Sequence, residues 1–161
     1  MIMLTAKEIR RLFHYNPLTG EMIRLVKMGN QEVGASVDTI NDSGYYITSI
    51  RGAKHRKARI AWVWMTGKWP KKLIDHIDGV RTNDKWCNLR EATHQQNCQN
   101  RKTSNDKIKL LGTHFHKRDG KWTAAISHNK KQIHLGTFDS DIEAYNAYIA
   151  AKRKLHKFCT I

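Results

Sequence analysis

Acidic side chains are scarce in this sequence: 14 Asp and Glu stand against 29 Lys and Arg, a formal charge of +15 over 161 residues. Self-repulsion of that size opposes a compact fold, so a polyanionic partner is its natural explanation. Cysteine is scarce as well. Cys87, Cys98 and Cys159 are odd in number and form no Cys-x-x-Cys pair, which excludes a disulfide framework and a cysteine-based zinc site and leaves reduced thiols. Long apolar runs are missing, and so is a basic amphipathic helix of the right length, which removes a membrane surface as the partner. Met1-Ile2-Met3-Leu4 leads straight into charged residues without a signal-peptide core, so a cytoplasmic location is expected. The sequence has no internal repeat, and its length allows one ordinary core or two small ones.

The positive charge is unevenly placed. Residues 1–50 hold five basic and five acidic side chains, residues 51–100 eleven against four, and residues 101–161 thirteen against five. A merely solvated surface does not split this way, and nucleic acid is the partner it implies.

Thr5 followed by Glu8 is a capping box, and Ile9, Leu12 and Phe13 mark the apolar face of a short helix ended by Asn16-Pro17. Residues 21–50 read as β-like, with a strand over Gly44–Ile50, a turn at Arg51-Gly52 and a further strand near His55–Lys57. Ala58–Met65 reads as a helix with Trp62 and Trp64 partly in the core. Lys72–Ile77 and Leu89–Ala92 read as strands joined by a polar loop, and Thr93 caps a helix running to about Asn100. Residues 101–109 are polar, charged and aperiodic, as a linker is. Beyond them 112–118, 121–128 and 131–138 read as three strands, with turns at Asp119-Gly120 and Asn129-Lys130. A helix follows, opened by a second capping box, Ser140 with Glu143, and carrying Ala144, Ala147 and Ala151.

Most of the chemistry lies in Asp75-His76-Ile77-Asp78-Gly79, Asn83, Asn88-Leu89-Arg90, Thr93 and Asn97. Phosphodiester hydrolysis needs an activated water, a cation on the developing charge and a proton for the leaving oxygen. Histidine suits the first task because its pKa lies near neutrality. Adjacent residues of a regular strand point to opposite faces, so the expected division gives His76 to the water and Asp75 to a metal ion. Asn97, one helical turn after Thr93, supplies a neutral oxygen ligand. One carboxylate plus one amide suits Mg²⁺ or Mn²⁺, one ion per site, better than zinc. Asn88 is expected to hold the loop so that His76 is aimed and its tautomer fixed, and Asp78 to form the turn before Gly79.

These residues resemble the HNH endonuclease motif in its phage and homing-nuclease form, a β-hairpin plus helix around one divalent metal. His76 matches the first letter, Asn88 the second and Asn97 the last, where many relatives carry His. Gly44-Tyr45, the His55-Arg56 pair and Ala58–Trp69 resemble the elements that precede the motif, so the resemblance spans roughly residues 12–100.

A second resemblance rests on Gly112-Thr113-His114-Phe115-His116, Gly120-Lys121-Trp122 and Leu135-Gly136-Thr137-Phe138-Asp139 followed by the Ala-rich helix. Over about residues 110–155 they are similar to the DNA-binding domain of plant ethylene-response factors, in which a three-stranded sheet enters the major groove. Alternation supports it independently: Phe115, Trp122, Ala124, Ile126, Ile133 and Leu135 share a face that can pack on Ala144, Tyr148 and Ala151. The other face carries His114, His116, Thr123, Ser127, Gln132 and His134, ringed by Lys117, Arg118, Lys121, Lys130 and Lys131. Those residues are the expected DNA contacts, the short polar ones to bases and the cations to phosphates. A metal site from His114, His116 and His134 is a less favoured alternative. Several base-reading positions of the plant domains differ here, so their recognition sequence does not carry over.

The expected fold class is α+β: an HNH ββα-metal nuclease unit with an N-terminal mixed part (1–100), a linker (101–109), and a three-stranded antiparallel sheet packed on one helix (110–161). The expected function is metal-dependent cleavage of double-stranded DNA, nicking or double-strand, by a monomer or dimer in a bacterial or phage-infected cell. A non-catalytic DNA-binding regulator that keeps the fold is the alternative.

Overall fold

The computed structural model describes residues 4–100 and 110–159; the expected linker, 101–109, lies outside the described residues. The chain is mixed α and β with small antiparallel sheets, and it divides into two compact units, Met1–His94 and Gln95–Ile161. Among the described residues no helix is long and apolar enough to cross a membrane.

In the first unit, Thr5 and Glu8 form the reciprocal capping box that opens helix α1 (Ala6–Leu12). Phe13, expected on that helix, instead starts strand β1 (Phe13–Tyr15). Its N–H still bonds to Ile9 O, but the Phe-His-Tyr alternation buries Phe13 and Tyr15 completely against strand β2 (Met22–Arg24). Regular β structure over 21–50 is also shorter than expected. Strands form only at β2 and at β3 (Ile47–Ile50), with isolated bridges between them. The expected strand start at Gly44 is taken up by a turn: Asn41 Oδ1 accepts from the N–H of Ser43 and of Tyr45, and Gly44 has φ +77°. β3 pairs with β4 (Ala53–Arg56), and helix α2 (Lys57–Thr66) follows, closed by left-handed Gly67.

α2 buries Ala58, Ile60, Ala61 and Val63 in a core shared with Ile9, Phe13, Tyr15, Met22, Val37, Ile50, Ile74 and Leu89. Trp62 and Trp64 pack on that core, and Trp64 Nε1 donates to Phe13 O. Strands β5 (Leu73–His76) and β6 (Leu89–Ala92) then form a hairpin in which Asp75 faces Arg90 and His76 faces Leu89 across the ladder. A 3₁₀ turn (Trp86–Asn88) leads into β6, and helix α3 (His94–Gln99) follows it.

In the second unit, strands β7 (Thr113–His116), β8 (Lys121–His128) and β9 (Lys131–Phe138) form an antiparallel sheet in that order. Helix α4 (Asp141–Leu155) begins where Ser140 Oγ accepts from Glu143 N–H. The β8–β9 turn puts Asn129 and Lys130 both at positive φ, as the tightest hairpin turns require. Ala124, Ile126, Ala144 and Tyr148 are the buried centre, with Trp122, Leu135, Phe138 and Ala151 packed on it. Phe115 and Ile133, expected in this core, are 40% and 38% exposed. The register explains another departure from plain alternation. Ala124 faces Gly136 but Ala125 faces His134, so Leu135 is an extra residue in β9 and the strand changes parity there. Phe138 thereby comes opposite Trp122 and joins the core.

Gly112 precedes β7 at φ +79°, and a Cβ added there would lie 1.9 Å from Tyr148 Cδ2. Gly112→Ala should therefore cost about 2–4 kcal/mol, backbone strain plus overpacking. Gly120→Ala, at φ +62° with nothing within 4 Å, should cost only the strain, about 1 kcal/mol. Urea denaturation of the two variants checks this; equal losses would show that Tyr148 yields.

Candidate active site

The hairpin β5–β6 does not alternate as a half-exposed strand should. Leu73 is exposed, whereas Ile74, Asp75 and His76 are buried in succession, the last two at 6% and 4% exposure. Both polar side chains are held. Arg90 donates from Nε and Nη2 to Asp75 Oδ2, each at 3.0 Å. His76 Nε2 lies 2.9 Å from Asp84 Oδ1, and the Tyr45 ring sits 5.9 Å from the imidazole.

Asp84 is the residue that sequence reasoning missed. It is 2% exposed, and the Lys57 ammonium stands 3.4 Å from its Oδ2 at the start of α2. Its backbone is seated by the N-terminal hairpin. Tyr15 OH donates to Asp84 O at 2.6 Å, Trp86 N donates to Pro17 O, and Gly20 lies so close that a Cβ would meet Asp84 C at 2.7 Å. Burial raises the Tyr15 phenol strongly, helped by the negative charge of Asp84 and by Cys87, so it stays a donor. The only available hint was an acid in a loop otherwise rich in Asn, Lys and Arg.

Asn88 braces the loop rather than the imidazole: its Oδ1 accepts from Asp78 N–H, and its Nδ2 donates to Asp78 Oδ1 and Asn83 O. The Nε2 atom of the His76 ring is met by Asp84 Oδ1. Asp78 Oδ1 also accepts from Val80 N–H, the turn-forming contact, and Oδ2 accepts from Asn83 Nδ2. Partial burial works against ionisation of Asp78, but the hydrogen bonds from Asn83, Val80 and Asn88, with His76 nearby, win and lower its pKa. Asn97 lies half-buried on α3, on the far side of the unit division at His94/Gln95, so the structure groups Asp75, His76, Asp84, Asn88 and Arg90 but leaves Asn97 in the other unit.

This sequence of strand, looped hairpin and helix coincides with a known family. Residues 54–99 match the HNH endonuclease family. No curated protein and no solved structure matches the chain. The HNH segment thus runs from β4 through α3 and contains Asp75, His76, Asp84, Asn88 and Asn97; the further resemblance over residues 12–53 lies outside it. As to a divalent ion, the expected ligands in the segment, Asp75 and Asn97, carry oxygen donors. Arg90 holds Asp75 at Oδ2, a contact that orients the carboxylate as the outer partners of metal ligands do. Magnesium is commonly bound through one or two carboxylates plus substrate phosphates, and Asp75 fits that pattern. Among the described residues no three His, Cys, Asp or Glu cluster as a metal cage, and the alternative site of His114, His116 and His134 falls with that finding.

In the second unit, His114, His116, Thr123, Gln132 and His134 line one concavity of about 820 Å³ on the sheet, together with Lys121 and Asp119. Lys117, Arg118, Ser127, Lys130 and Lys131 are exposed outside it. Lys121 is ion-paired with Asp139, and the Ser127 carbonyl is bonded to the ring of buried His156.

The depressed carboxyl of Asp78 has a stability consequence. Its contribution is full above the unfolded value, near 3.8, and is lost as the pH falls through the lower folded value. Asp78→Asn should destabilise the protein by roughly 1–2 kcal/mol at neutral pH, and the gap to the wild type should close in acid below that value. Melts of both proteins between neutral and strongly acidic pH measure it; a gap independent of pH would mean the ionised carboxylate contributes nothing.

Proposed function

We propose that this chain is a metal-dependent DNA endonuclease of the HNH type, homing or phage in kind, acting on double-stranded DNA in the cytoplasm. The observation that carries the reading is the buried His76–Asp84 pair inside the segment that matches HNH endonucleases. An Nε2–H donated to Asp84 makes Nδ1 the basic nitrogen, the one that takes a proton from water attacking the phosphodiester. Lys57 offsets the buried charge of Asp84 so that the pair stays in place. Asp75, aimed by Arg90, would hold Mg²⁺ or Mn²⁺. When bound, such an ion supplies positive charge to the phosphate in the transition state. Asn88 keeps the 77–88 loop closed under the imidazole, and it acts through His76 rather than on substrate.

On this reading residues 1–100 form the nuclease part, 101–109 a linker and 110–161 a DNA reader similar to that of ethylene-response factors. His114, His116, Ser127, Gln132 and His134 would face bases, and Lys117, Arg118, Lys121, Lys130 and Lys131 phosphates. Support comes from the net charge and from the shared concavity on the sheet.

One observation favours a second reading. Asp75 and His76 are both buried and engaged with Arg90 and Asp84, as they would be in a DNA-binding regulator that keeps the HNH fold without cleaving. Supercoiled plasmid separates the two. The nuclease nicks or linearises it with Mg²⁺, and EDTA stops the reaction; no conversion with any divalent ion leaves the regulator. His76→Ala should lower turnover about 100-fold or more while DNA affinity stays within a few-fold. Asp84→Asn should lower it roughly 10- to 100-fold, the usual cost of removing an orienting partner. Wild-type turnover in His76→Ala would show that another group activates the water.

The reader makes its own prediction. In the full chain, Lys131→Ala should weaken binding to all sequences, whereas Gln132→Ala should change the preference among them. Competition titrations with a randomised duplex pool distinguish these, and uniform effects from both would remove base reading from this face.

A further inference from the structure

Most cations of the first unit that reach an acid are neutralised within the fold: Lys27 by Glu32, Arg51 by Glu8, Lys57 by Asp84 and Arg90 by Asp75. Arg56 and Arg81 are different. The Arg56 guanidinium carbon lies 4.0 Å from the centre of the Tyr45 ring, and that of Arg81 lies 5.3 Å from the same ring. Both arginines are exposed, and neither has an acidic partner among the described residues. Arg81 is fixed further, since its Nη1 donates to Ser43 O at 2.7 Å and ties the 77–88 loop to the Asn41–Tyr45 turn. Tyr45 itself sits against His76.

From this placement we propose that Arg56, Tyr45 and Arg81 form a clamp for a backbone phosphate of duplex DNA, immediately beside His76. Two guanidinium groups beside one aromatic ring repel each other, and cation–π attraction to the ring offsets only part of that. An anion held by both removes the repulsion. The planar fork of arginine matches two phosphate oxygens, and stacking on tyrosine orients the fork before the ligand arrives. The neighbouring residue underlines the contrast. His55 turns toward Trp69, 5.7 Å between rings, and burial together with Arg59 lowers its pKa. A shallow pocket of about 330 Å³ adjoins Arg56, with Lys54, Asn41 and Ser43 in its lining and exposed Asp42 as the one acid there. A polynucleotide strand, unlike an isolated anion, can follow that pocket past the clamp.

The inference rests on the DNA-binding part of the proposed function and not on hydrolysis. The test is binding of the full-length protein to a short duplex, titrated at a series of salt concentrations, with plasmid cleavage measured alongside. Each phosphate contact contributes about 0.9 to the slope of log affinity against log salt concentration. Arg56→Gln and Arg81→Gln should each lower that slope by about this amount. Arg56→Lys should keep the slope and lose affinity, because the charge remains and the stacked fork is gone. Arg51→Gln, which removes an exposed charge already paired with Glu8, should leave the slope unchanged. The clamp is overturned if the Arg56 and Arg81 variants behave like Arg51→Gln, or if the wild type does not bind duplex DNA at all. A wild type that binds without cutting, with the slopes changed as stated, would sink the nuclease reading and leave the clamp standing.

Discussion

A carboxylate that is 2% exposed is costly to ionise unless its charge is answered on the spot. Asp84 is answered twice, by the His76 ring at one oxygen and the Lys57 ammonium at the other. Much of the first unit is arranged around that requirement. Lys57 reaches it because α2 begins directly after β4, and its N–H is bonded to Tyr46 O while its ammonium lies over the Tyr46 ring. Tyr15 and Gly20 reach it because the β1–β2 hairpin lays its turn on the 84–86 backbone. Removing one partner of such a network leaves an unpaired buried charge, which is why the N-terminal hairpin and α2 are as much part of the site as the strand that carries His76.

The loop between β5 and β6 shows the same economy at smaller scale. Asp78 and Asn88 bond to each other in both directions, backbone to side chain and side chain to side chain, and Asn83 closes the ring. A polar loop of this length would otherwise leave backbone groups without partners near a core. Here the amides satisfy them, and the loop becomes a rigid support beneath His76. The second unit solves a different problem. Its sheet must offer an apolar face to α4 and a polar face to the outside, and the extra residue at Leu135 lets β9 do both while Phe138 still turns inward.

Much of the architecture was legible in the residues. The Thr5–Glu8 box, the helix at Lys57–Thr66 and the strands of 113–138 follow from capping chemistry and period, each of which acts within a few residues. The segment around Asp75-His76 was legible because its spacing is that of HNH endonucleases, and residues 54–99 match that family. Periodicity was least informative where it competed with turns or burial. It carried Phe13 one residue too far into a helix, stretched the strand before Ile47 across an Asn-Gly turn, and placed Phe115 and Ile133 in a core that they only border.

By itself, then, the sequence determined the excess of positive charge, the α+β order of elements and the stretch that matches HNH endonucleases. Those are properties of composition, local conformation and spacing, which need no partner from elsewhere in the chain. Only the tertiary structure decided that the His76 ring is held by Asp84 rather than by Asn88, that Lys57 and Tyr15 support that carboxylate, and that Arg56 and Arg81 both stand against the Tyr45 ring. Each of these joins residues that no helical or strand period relates. Which of several polar side chains meet inside a closed loop depends on how the loop folds back on the core, and that is settled by packing and by the cost of an unpaired buried group.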